Sequence, residues 1–403
     1  MHLQSNTKIY IVFLAAAVAI GPLATDMYLP SLPLLAKVFA VSVSEVQWTL
    51  SVFMIGIAVF QLIIGPISDR FGRKPVLISG LLIFGASCFA SETSSTIVDL
   101  TFYRFLQSLG VCIAVVIPRA MVRDLFDRDE AASKLSKMGT LMGFAPALAP
   151  ILGGYIVLSN GWGGVFFFLG IYAFAVAIIV IFFVEETLLR KDKAALRPKY
   201  IFANYQEILS SSEFLGYAVT AGLCFGGFFA YISSSSFVLI NVIGIPVEQF
   251  GYYFGFVVIG FILGTLLGPW LSRKISLHKA LQVGALFSCV GGLFLLIFAQ
   301  LHNLHPLEII LPMFIYNIGV GIVIPQCQAG AMHPFPEKAG SASALAGFII
   351  LGFSASLGLT VAELYDGTHL PMVVIIFAMG VLTLVFNHLA VYRPIKEKIN
   401  VPN

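Results

Sequence analysis

The sequence predicts an all-α integral membrane protein with twelve transmembrane helices, arranged as two six-helix bundles with pseudo-two-fold symmetry. Three observations predict this fold. Of the 403 residues, 59% are hydrophobic and only 11% are charged, whereas a soluble domain carries about 25% charged residues. The apolar residues fall into runs of about 20, the length that crosses a bilayer as a helix. Lys and Arg concentrate between alternate runs, as in membrane proteins of fixed orientation.

The apolar runs divide into twelve spans. Long continuous runs favour helices over the ten-residue alternation of a membrane β-barrel. The region from Met138 to Val184 has no Asp, Glu, Lys or Arg, and it holds two spans with a turn at Leu158–Gly164. The spans are expected near residues 9–29, 46–66, 75–93, 97–118, 138–157, 164–184, 213–236, 249–270, 279–300, 306–328, 339–361 and 370–391.

The first span has the general form of a signal peptide, because Lys8 precedes the apolar run Ile9–Leu23. The run continues through "ATDMYLP" without a small-residue cleavage site. We therefore expect a retained membrane helix.

The distribution of Lys and Arg predicts the orientation. If both termini lie on one side, that side receives every Lys and Arg except Lys37 and Arg104, so both termini are expected in the cytoplasm of a bacterial inner membrane. The longest polar interruption then divides the chain into an N-terminal bundle (1–184), a cytoplasmic linker (185–212) and a C-terminal bundle (213–403).

An internal repeat relates the two halves. "GPISDRFGRK" (Gly65–Lys74) joins spans two and three, and "GTLLGPWLSRKIS" (Gly264–Ser276) joins spans eight and nine. Gly65-Pro66 aligns with Gly268-Pro269, half the chain length further on. Parallel six-helix repeats with a solute site between them are an architecture of secondary transporters.

Gly65-x-x-x-Asp69-Arg70-x-Gly72-Arg73-Lys74 resembles the signature loop of the major facilitator superfamily at every defining position. "RFLQSLGVCIAVVIPRAMVRD" (Arg104–Asp124) is similar to the span-four signature of its drug–proton antiporter branch. "GFAPALAPILGGYI" (Gly143–Ile156) resembles the span-five antiporter motif, although Ala145-Pro146 stands where Gly-Pro is more usual.

"TDMYLPSLP" (Thr25–Pro33) resembles the bicyclomycin-resistance (Bcr/CflA) family of multidrug exporters. The following "VQWTLSVFMIGIAVFQLIIGPISDRFGRKP" carries the same resemblance. The resemblance implies the major facilitator fold and export of small molecules in exchange for protons.

The signature loop concentrates charge in a chain that otherwise avoids it. Glycines permit a sharp turn and close helix approach, and Asp69 can meet a helix N-terminus or a basic residue. The resemblance implies a gating loop formed by Gly65, Asp69, Arg70, Gly72 and Arg73. The alternative is a turn whose cations only set the topology, and we favour that interpretation for Lys74 alone.

Two ionisable residues at membrane depth are candidate functional groups. Asp26 near the outer end of span one can carry a proton, or it can be a hydrated helix-end acid. Arg104 in span four stays charged, and it can act on Asp26 or snorkel to the outer interface. Gln107 and Gly110 share its face, which suits a cavity wall better than lipid contact. The resemblance links the acid to substrate and proton binding.

The remaining candidates are weaker. Span five must bend or pack tightly because of its small and kinking residues, and the resemblance implies that it limits leak as the antiporter helix. These residues are Gly143, Pro146, Pro150, Gly153 and Gly154. Candidate substrate-cavity residues, besides Asp26 and Arg104, are Tyr28, Gln47, Met54, Gln107, Phe225, Tyr231 and Asn317. His302, His305, Glu363 and Asp366 are interpreted as loop residues without a role.

The sequence thus predicts a proton-coupled exporter of small amphipathic molecules that works by alternating access. The partners would be a small-molecule substrate, protons and the lipid bilayer, with no cofactor, metal or nucleic acid and a monomeric state. An exporter of a metabolite or siderophore on the same fold is the alternative. A membrane enzyme, a channel and a sensor without transport are further classes, but the sequence has no enzyme motif, no pore ring and no signalling domain to support them.

Overall fold

A computed structural model describes residues 8–300 and 305–392. Within these ranges the chain is all-helical, with no β-strand. The α-helices are α1 (Lys8–Asp26), α2 (Leu32–Val38), α3 (Val43–Phe71), α4 (Arg73–Glu92), α5 (Ile97–Leu125), α6 (Arg128–Phe183), α7 (Pro198–Leu209), α8 (Ser212–Ser236), α9 (Val247–Ile275), α10 (Leu277–Phe298), α11 (Pro306–Met332), α12 (Ala339–Leu364) and α13 (Leu370–Asn387).

Eleven helical segments of the described residues are long and apolar enough to cross a membrane. The first is Tyr10–Val38, in which a 3-10 turn at Leu29–Ser31 joins α1 to α2. The single segment Gly143–Phe183 covers most of the predicted spans 138–157 and 164–184, beginning five residues later and ending one residue earlier. The chain is therefore a multi-pass membrane protein.

Helix α6 is too long for one straight crossing. Its 56 residues would extend about 84 Å at 1.5 Å per residue, against about 30 Å for the hydrocarbon core of a bilayer. Gly161 interrupts it with φ 70° and ψ −174°, a conformation that favours glycine. The break lies within the predicted turn Leu158–Gly164.

The described contacts group the chain into two compact units, residues 1–202 and 203–403. The division falls inside α7, a helix of the predicted linker that sequence periodicity had not revealed. Helix α7 is amphipathic, with Ile208 buried and Phe202 exposed. The predicted domain limits of 184 and 212 enclose this division.

In the first unit α5 packs against α1, α3 and α4, while α6 packs against α1 and α4. Capping boxes fix where two of these helices begin: Ser42 with Glu45 at α3, and Thr96 with Asp99 at α5. Helix α5 is thus surrounded on three sides, and this arrangement carries Arg104 into the interior of the unit.

In the second unit α11 is the central helix, with α8, α9 and α10 packed around it. Helix α8 also packs against α12 and α13. The Tyr316 hydroxyl of α11 donates to the carbonyl of Cys224 in α8 (3.2 Å), and Ser288 of α10 donates to the carbonyl of Tyr316 (3.3 Å). These buried hydrogen bonds tie three helices together.

Candidate functional site

Arg104 is fully buried in the first unit. Its Nη1 donates to the carbonyl of Ala24 in α1 (3.1 Å) and to Oε1 of Gln107 one turn further along α5 (2.8 Å). Its guanidinium lies 4.0 Å from the centre of the Phe53 ring and 4.7 Å from that of Tyr28. The snorkelling alternative is therefore wrong, because these contacts hold the charge inside the helix bundle.

Gln107 extends this contact to a third helix. Its Nε2 donates to the Ser91 hydroxyl (2.8 Å) and the Ser87 carbonyl (3.4 Å), both in α4. A chain of hydrogen bonds thus runs from α1 through α5 to α4. The sequence predicted Gln107 as a site residue, but the two serines were missed because nothing in their spacing marks them.

The face of α5 beyond Gln107 is a packing surface. A Cβ atom at Gly110 would lie 2.6 Å from the carbonyl oxygen of Gly80 and from Cβ of Phe84. The interpretation of this face as a cavity wall is therefore wrong at Gly110, where α4 and α5 meet backbone to backbone.

Asp26 is the last residue of α1 and only 6% exposed. Within the described part of the chain, no hydrogen bond or ion pair to its carboxylate is present. Arg104 likewise has no carboxylate partner there, and its Nε and Nη2 atoms are buried without a hydrogen-bond partner. The acid and the cation thus lie in the same unit without forming an ion pair.

Tyr28, two residues after Asp26, contacts Arg104. Its hydroxyl shares a 2.8 Å hydrogen bond with Thr49 of α3, and its ring packs at 5.3 Å against Phe166 of α6. Ala24 and Tyr28, which both contact Arg104, flank Asp26 in sequence. The end of α1 therefore presents Arg104 with a carbonyl and an aromatic ring, and carries the carboxyl between them.

The antiporter helix packs against the same end of α1. A Cβ atom at Gly153 of α6 would overlap the carbonyl of Met27, the residue after Asp26. Pro150 and Gly154 are also buried, whereas Gly143 and Pro146 are half-buried. Gly153 is the residue of this motif that directly meets the neighbourhood of Asp26.

Arg73 is the centre of the signature loop and is only 8% exposed. Its Nη1 contacts Asp69 at 2.7 Å, its Nε donates to Asp124 at 2.9 Å, and it also bonds the Ser68 hydroxyl. Asp69 thus has the basic partner that its position suggested. Asp124 lies at the end of the Arg104–Asp124 motif, so the loop joins two of the sequence motifs.

Glu186 is a further loop partner that the sequence did not reveal. Its carboxylate accepts the backbone N–H groups of Arg73 (3.0 Å) and Lys74 (3.2 Å), the first residues of α4. It also accepts those of Thr187 (2.9 Å) and Leu188 (3.0 Å). An acid at a helix N-terminus satisfies unpaired donors and complements the helix dipole.

The glycines of the loop differ from each other. Gly72 has φ 109° and ends α3 where α4 begins, so the expected sharp turn is present. Gly65 makes no close approach, because nothing lies within 4 Å of a Cβ built there. Arg70 is exposed, and its Nη1 donates to the carbonyl of Lys193 in the linker (3.2 Å).

The other candidate cavity residues are mainly buried. Gln47, Tyr231 and Asn317 are 0% exposed, Met54 is 7% exposed, and Phe225 is half-buried. In the second unit an aromatic ladder is formed by Phe225, Phe228, Tyr231, Phe254 and Phe250. The amide of Asn317 and the hydroxyl of Tyr231 have no hydrogen-bond partner among the described residues.

The residues set aside on sequence grounds have local contacts. His305 caps α11, since its Nδ1 accepts the N–H of Leu307 (3.3 Å), whereas His302 lies outside the described residues. Asp366 is exposed, and the hydroxyl and N–H of Thr368 hold the pKa of its carboxyl below the ordinary value. The five cysteines form no disulfide.

A buried arginine held by a backbone carbonyl and aromatic rings, together with the eleven long apolar segments of the described residues, is typical of a membrane transport protein. The model of the Major Facilitator Superfamily matches residues 14–359, and the chain belongs to this family. It is a transporter and not an enzyme. The resemblance recognised in the signature loop is thereby confirmed.

Curated relatives agree with this assignment. The chain is 32% identical to the bicyclomycin resistance protein homolog of Haemophilus influenzae, with 94% of each chain covered. It is 27% identical to multidrug resistance protein D of Escherichia coli, with 86% of each covered. A solved D-xylose-proton symporter shares the fold, with a TM-score of 0.73, 18% identity and coverage of 94% of this chain and 97% of that one.

Proposed function

We propose that this chain is a proton-coupled exporter of small amphipathic molecules, including drugs, that works by alternating access as a monomer. The names of its relatives support the class of cargo, since they include bicyclomycin, chloramphenicol and multidrug resistance proteins. The proposed coupling to protons is supported only by residues of the first unit.

The observation that carries the proposal is the separation of Asp26 from Arg104. Burying a charge costs several kcal/mol unless it is paired, and two desolvated cation–π contacts offset about 2 kcal/mol each. Arg104 is therefore a buried cation that an anionic group would stabilise further. The carboxyl that lies nearest in sequence to its contacts is Asp26.

This arrangement supplies a two-state element. In the first state Asp26 is protonated, and Arg104 contacts the Ala24 carbonyl, Gln107 and the rings of Tyr28 and Phe53. In the second Asp26 has released its proton and its carboxylate contacts the vacant Nε and Nη2 of Arg104. The change moves the end of α1, against which Gly153 packs, and so links proton release to helix movement.

The membrane potential gives the exchange its direction. With a negative interior, each proton that enters supplies about 2.3 kcal/mol per 100 mV. The distribution of Lys and Arg supports a bacterial inner-membrane location with both termini in the cytoplasm. Counting Gly143–Phe183 as two crossings around Gly161 supports twelve spans in two bundles, 1–184 and 213–403, with 185–212 as linker.

The other site residues have roles in this proposal. The loop with Gly65, Asp69, Arg70, Gly72 and Arg73 latches one conformation through its ion pairs, and the antiporter helix limits leak by its close packing. Apolar and aromatic side chains recognise a drug-like molecule by contact, with few fixed polar groups. Those in the first unit are Tyr28, Gln47, Met54 and Gln107, and those in the second are Phe225, Tyr231 and Asn317.

The test uses purified protein in sealed liposomes with a pH-sensitive dye inside and an inward proton gradient. Candidate drugs are added to wild type, Asp26→Asn and the control Asp366→Asn, an exposed acid outside the spans. We expect drug-dependent proton flux in wild type and control but none in Asp26→Asn. Flux retained in Asp26→Asn would remove Asp26 as the coupling group. No drug-dependent flux in a folded wild type would overturn drug–proton exchange.

A further inference from the structure

An apolar groove opens beside the signature loop. It has a volume of about 380 Å³ and lies between the end of α3, the beginning of α4 and the middle of α5. The hydroxyl of Ser79 on its wall donates to the carbonyl of Val76 (2.8 Å), so this polar group is already satisfied within its helix. Its lining includes Ile64, Ile67, Phe71, Pro75, Val76 and Ile113.

A basic stretch of the linker is bonded to the loop beside this groove. The guanidinium of Arg70 lies 5.7 Å from the centre of the Phe71 ring, and Phe71 lines the groove. The same Arg70 donates to the carbonyl of Lys193, and the N–H of Asp192 donates to the carbonyl of Asp69 (3.0 Å). These bonds hold a basic stretch of the linker next to the loop. Its exposed cations, here called the linker cations, are Arg190, Lys191, Lys193, Arg197 and Lys199.

The acids near this stretch are already engaged. Asp69 pairs with Arg73, and Asp192 accepts the N–H of Ala194 (2.8 Å). Glu186 accepts four backbone N–H groups. From Thr187 to Lys199 the five exposed linker cations outnumber the one acid, Asp192, so this stretch keeps a net positive charge. Leu189, 97% exposed, lies beside the first of them, and Phe202, 72% exposed, follows the last.

We propose that this groove and the linker cations form a binding site for an anionic phospholipid. Its phosphate headgroup would contact Arg70 and the linker cations, one acyl chain would occupy the groove, and Leu189 and Phe202 would enter the interface. An anionic leaflet attracts polybasic segments within a Debye length of its surface, and exposed apolar side chains beside such segments add binding by burial.

The inference rests on the proposed orientation, since the linker cations must lie at the cytoplasmic leaflet. It needs no proton coupling and no drug. Lipid binding is measured without any gradient, so a transporter that fails to exchange drugs for protons can still bind the lipid. Conversely, a working exporter can lack the lipid site.

The test is native mass spectrometry of the detergent-purified protein with equal amounts of phosphatidylglycerol and phosphatidylcholine that have the same acyl chains. We expect wild type to retain phosphatidylglycerol preferentially. Each cation in contact with the headgroup contributes roughly a five-fold preference, so Arg190→Gln/Lys191→Gln, within the proposed site, should lower it about 25-fold. The matched control is Arg273→Gln/Lys274→Gln, the same dipeptide at the end of α9, and it should change little.

A second variant tests the groove. Ser79→Trp fills it with a bulky side chain, so retention of both lipids should fall while the melting temperature stays near that of wild type. Equal retention of the two lipids by wild type, or an equal loss in both Arg–Lys double variants, would overturn the proposal. Displacement of the lipid by glycerol phosphate, with Ser79→Trp binding normally, would assign a water-soluble anion and overturn it as well.

Discussion

Gly153 of α6 packs directly against the peptide group of Met27. A Cβ atom built at Gly153 would lie 2.9 Å from the carbonyl carbon of Met27. In Gly153→Ala the added methyl group overlaps the backbone of Met27, which cannot rotate away as a side chain can. Overpacking of this kind costs about 1–3 kcal/mol, and here it displaces the residue next to Asp26. We expect drug-dependent proton flux to fall at least ten-fold, as measured in liposomes.

The matched control lies in the same helix. Gly139 has nothing within 4 Å of a built Cβ, so Gly139→Ala should keep full flux and stabilise the helix by up to about 1 kcal/mol. If Gly153→Ala retained the flux and thermal stability of wild type, the close contact between α6 and α1 would have no functional meaning.

Substitutions at Arg104 separate stability from coupling. Arg104→Met removes an unpaired buried charge, whose desolvation costs several kcal/mol, but leaves the Ala24 carbonyl and the Gln107 amide oxygen without their donor. These effects oppose each other, so the melting temperature should change little. Drug-dependent proton flux should nevertheless vanish, because Asp26 loses its cation. Arg104→Lys keeps the charge without the planar fork that reaches both Ala24 and Gln107, and it should retain partial flux.

Arg104→Met with wild-type flux would contradict the pairing of Asp26 with Arg104. A strong loss of thermal stability in that variant would show instead that Arg104 mainly supports the fold. Fluorescence-monitored melting in detergent and flux in liposomes give the two readouts on the same preparations.

Hydropathy and charge predicted the membrane helices, because span length and positive-inside bias are properties of the chain in one dimension. Asp26, Arg104 and Asp69 were also singled out as candidates from the sequence, because an ionisable group in a long apolar helix or a tight loop is unusual. The hydrogen-bond partners of the site residues could not be predicted from the sequence. That Gln107 meets Ser91, or that Glu186 caps α4 across more than a hundred residues, depends on helix rotation and tertiary packing.

The two acids paired with Arg73 should differ in energy. Asp124 has 22% of its side chain exposed and Asp69 has 42%, and exposed ion pairs contribute only about 0–1 kcal/mol. Asp124→Asn should therefore lower the free energy of unfolding by about 1–3 kcal/mol, and Asp69→Asn by less. A double-mutant cycle with Arg73→Gln measures each coupling.

The effect on transport should follow the opposite order. Asp69→Asn should reduce proton flux more than Asp124→Asn, because the gating role is proposed for Asp69. Asp69→Asn should reduce flux more than it reduces stability. If Asp69→Asn and Asp124→Asn lowered both quantities in the same proportion, the loop would be a structural tie without a separate gating function.

The Glu186 carboxylate should act as the N-terminal cap of α4. Glu186→Ala leaves the N–H groups of Arg73 and Lys74 without their acceptor, and loss of a cap costs about 0.5–2 kcal/mol. Hydrogen exchange at these two amides should accelerate. Asp127→Ala is the control, because Asp127 precedes α6 without a side-chain capping bond, and it should leave exchange in α4 unchanged. Slow exchange at Arg73 and Lys74 in Glu186→Ala would assign the cap to another group.

Cysteine labelling tests whether Gly143–Phe183 crosses the membrane twice. Ser159 is exposed beside the break at Gly161, and Lys191 is exposed in the linker. If the segment crosses twice, with the turn at Gly161, these residues lie on opposite sides, and Ser159→Cys should react with an impermeant maleimide in intact cells. Lys191→Cys should react only after permeabilisation. Four native cysteines are buried and Cys289 is half-buried, so the parent protein gives the background. Ser159→Cys that reacts from neither side before denaturation would mean that the segment crosses only once.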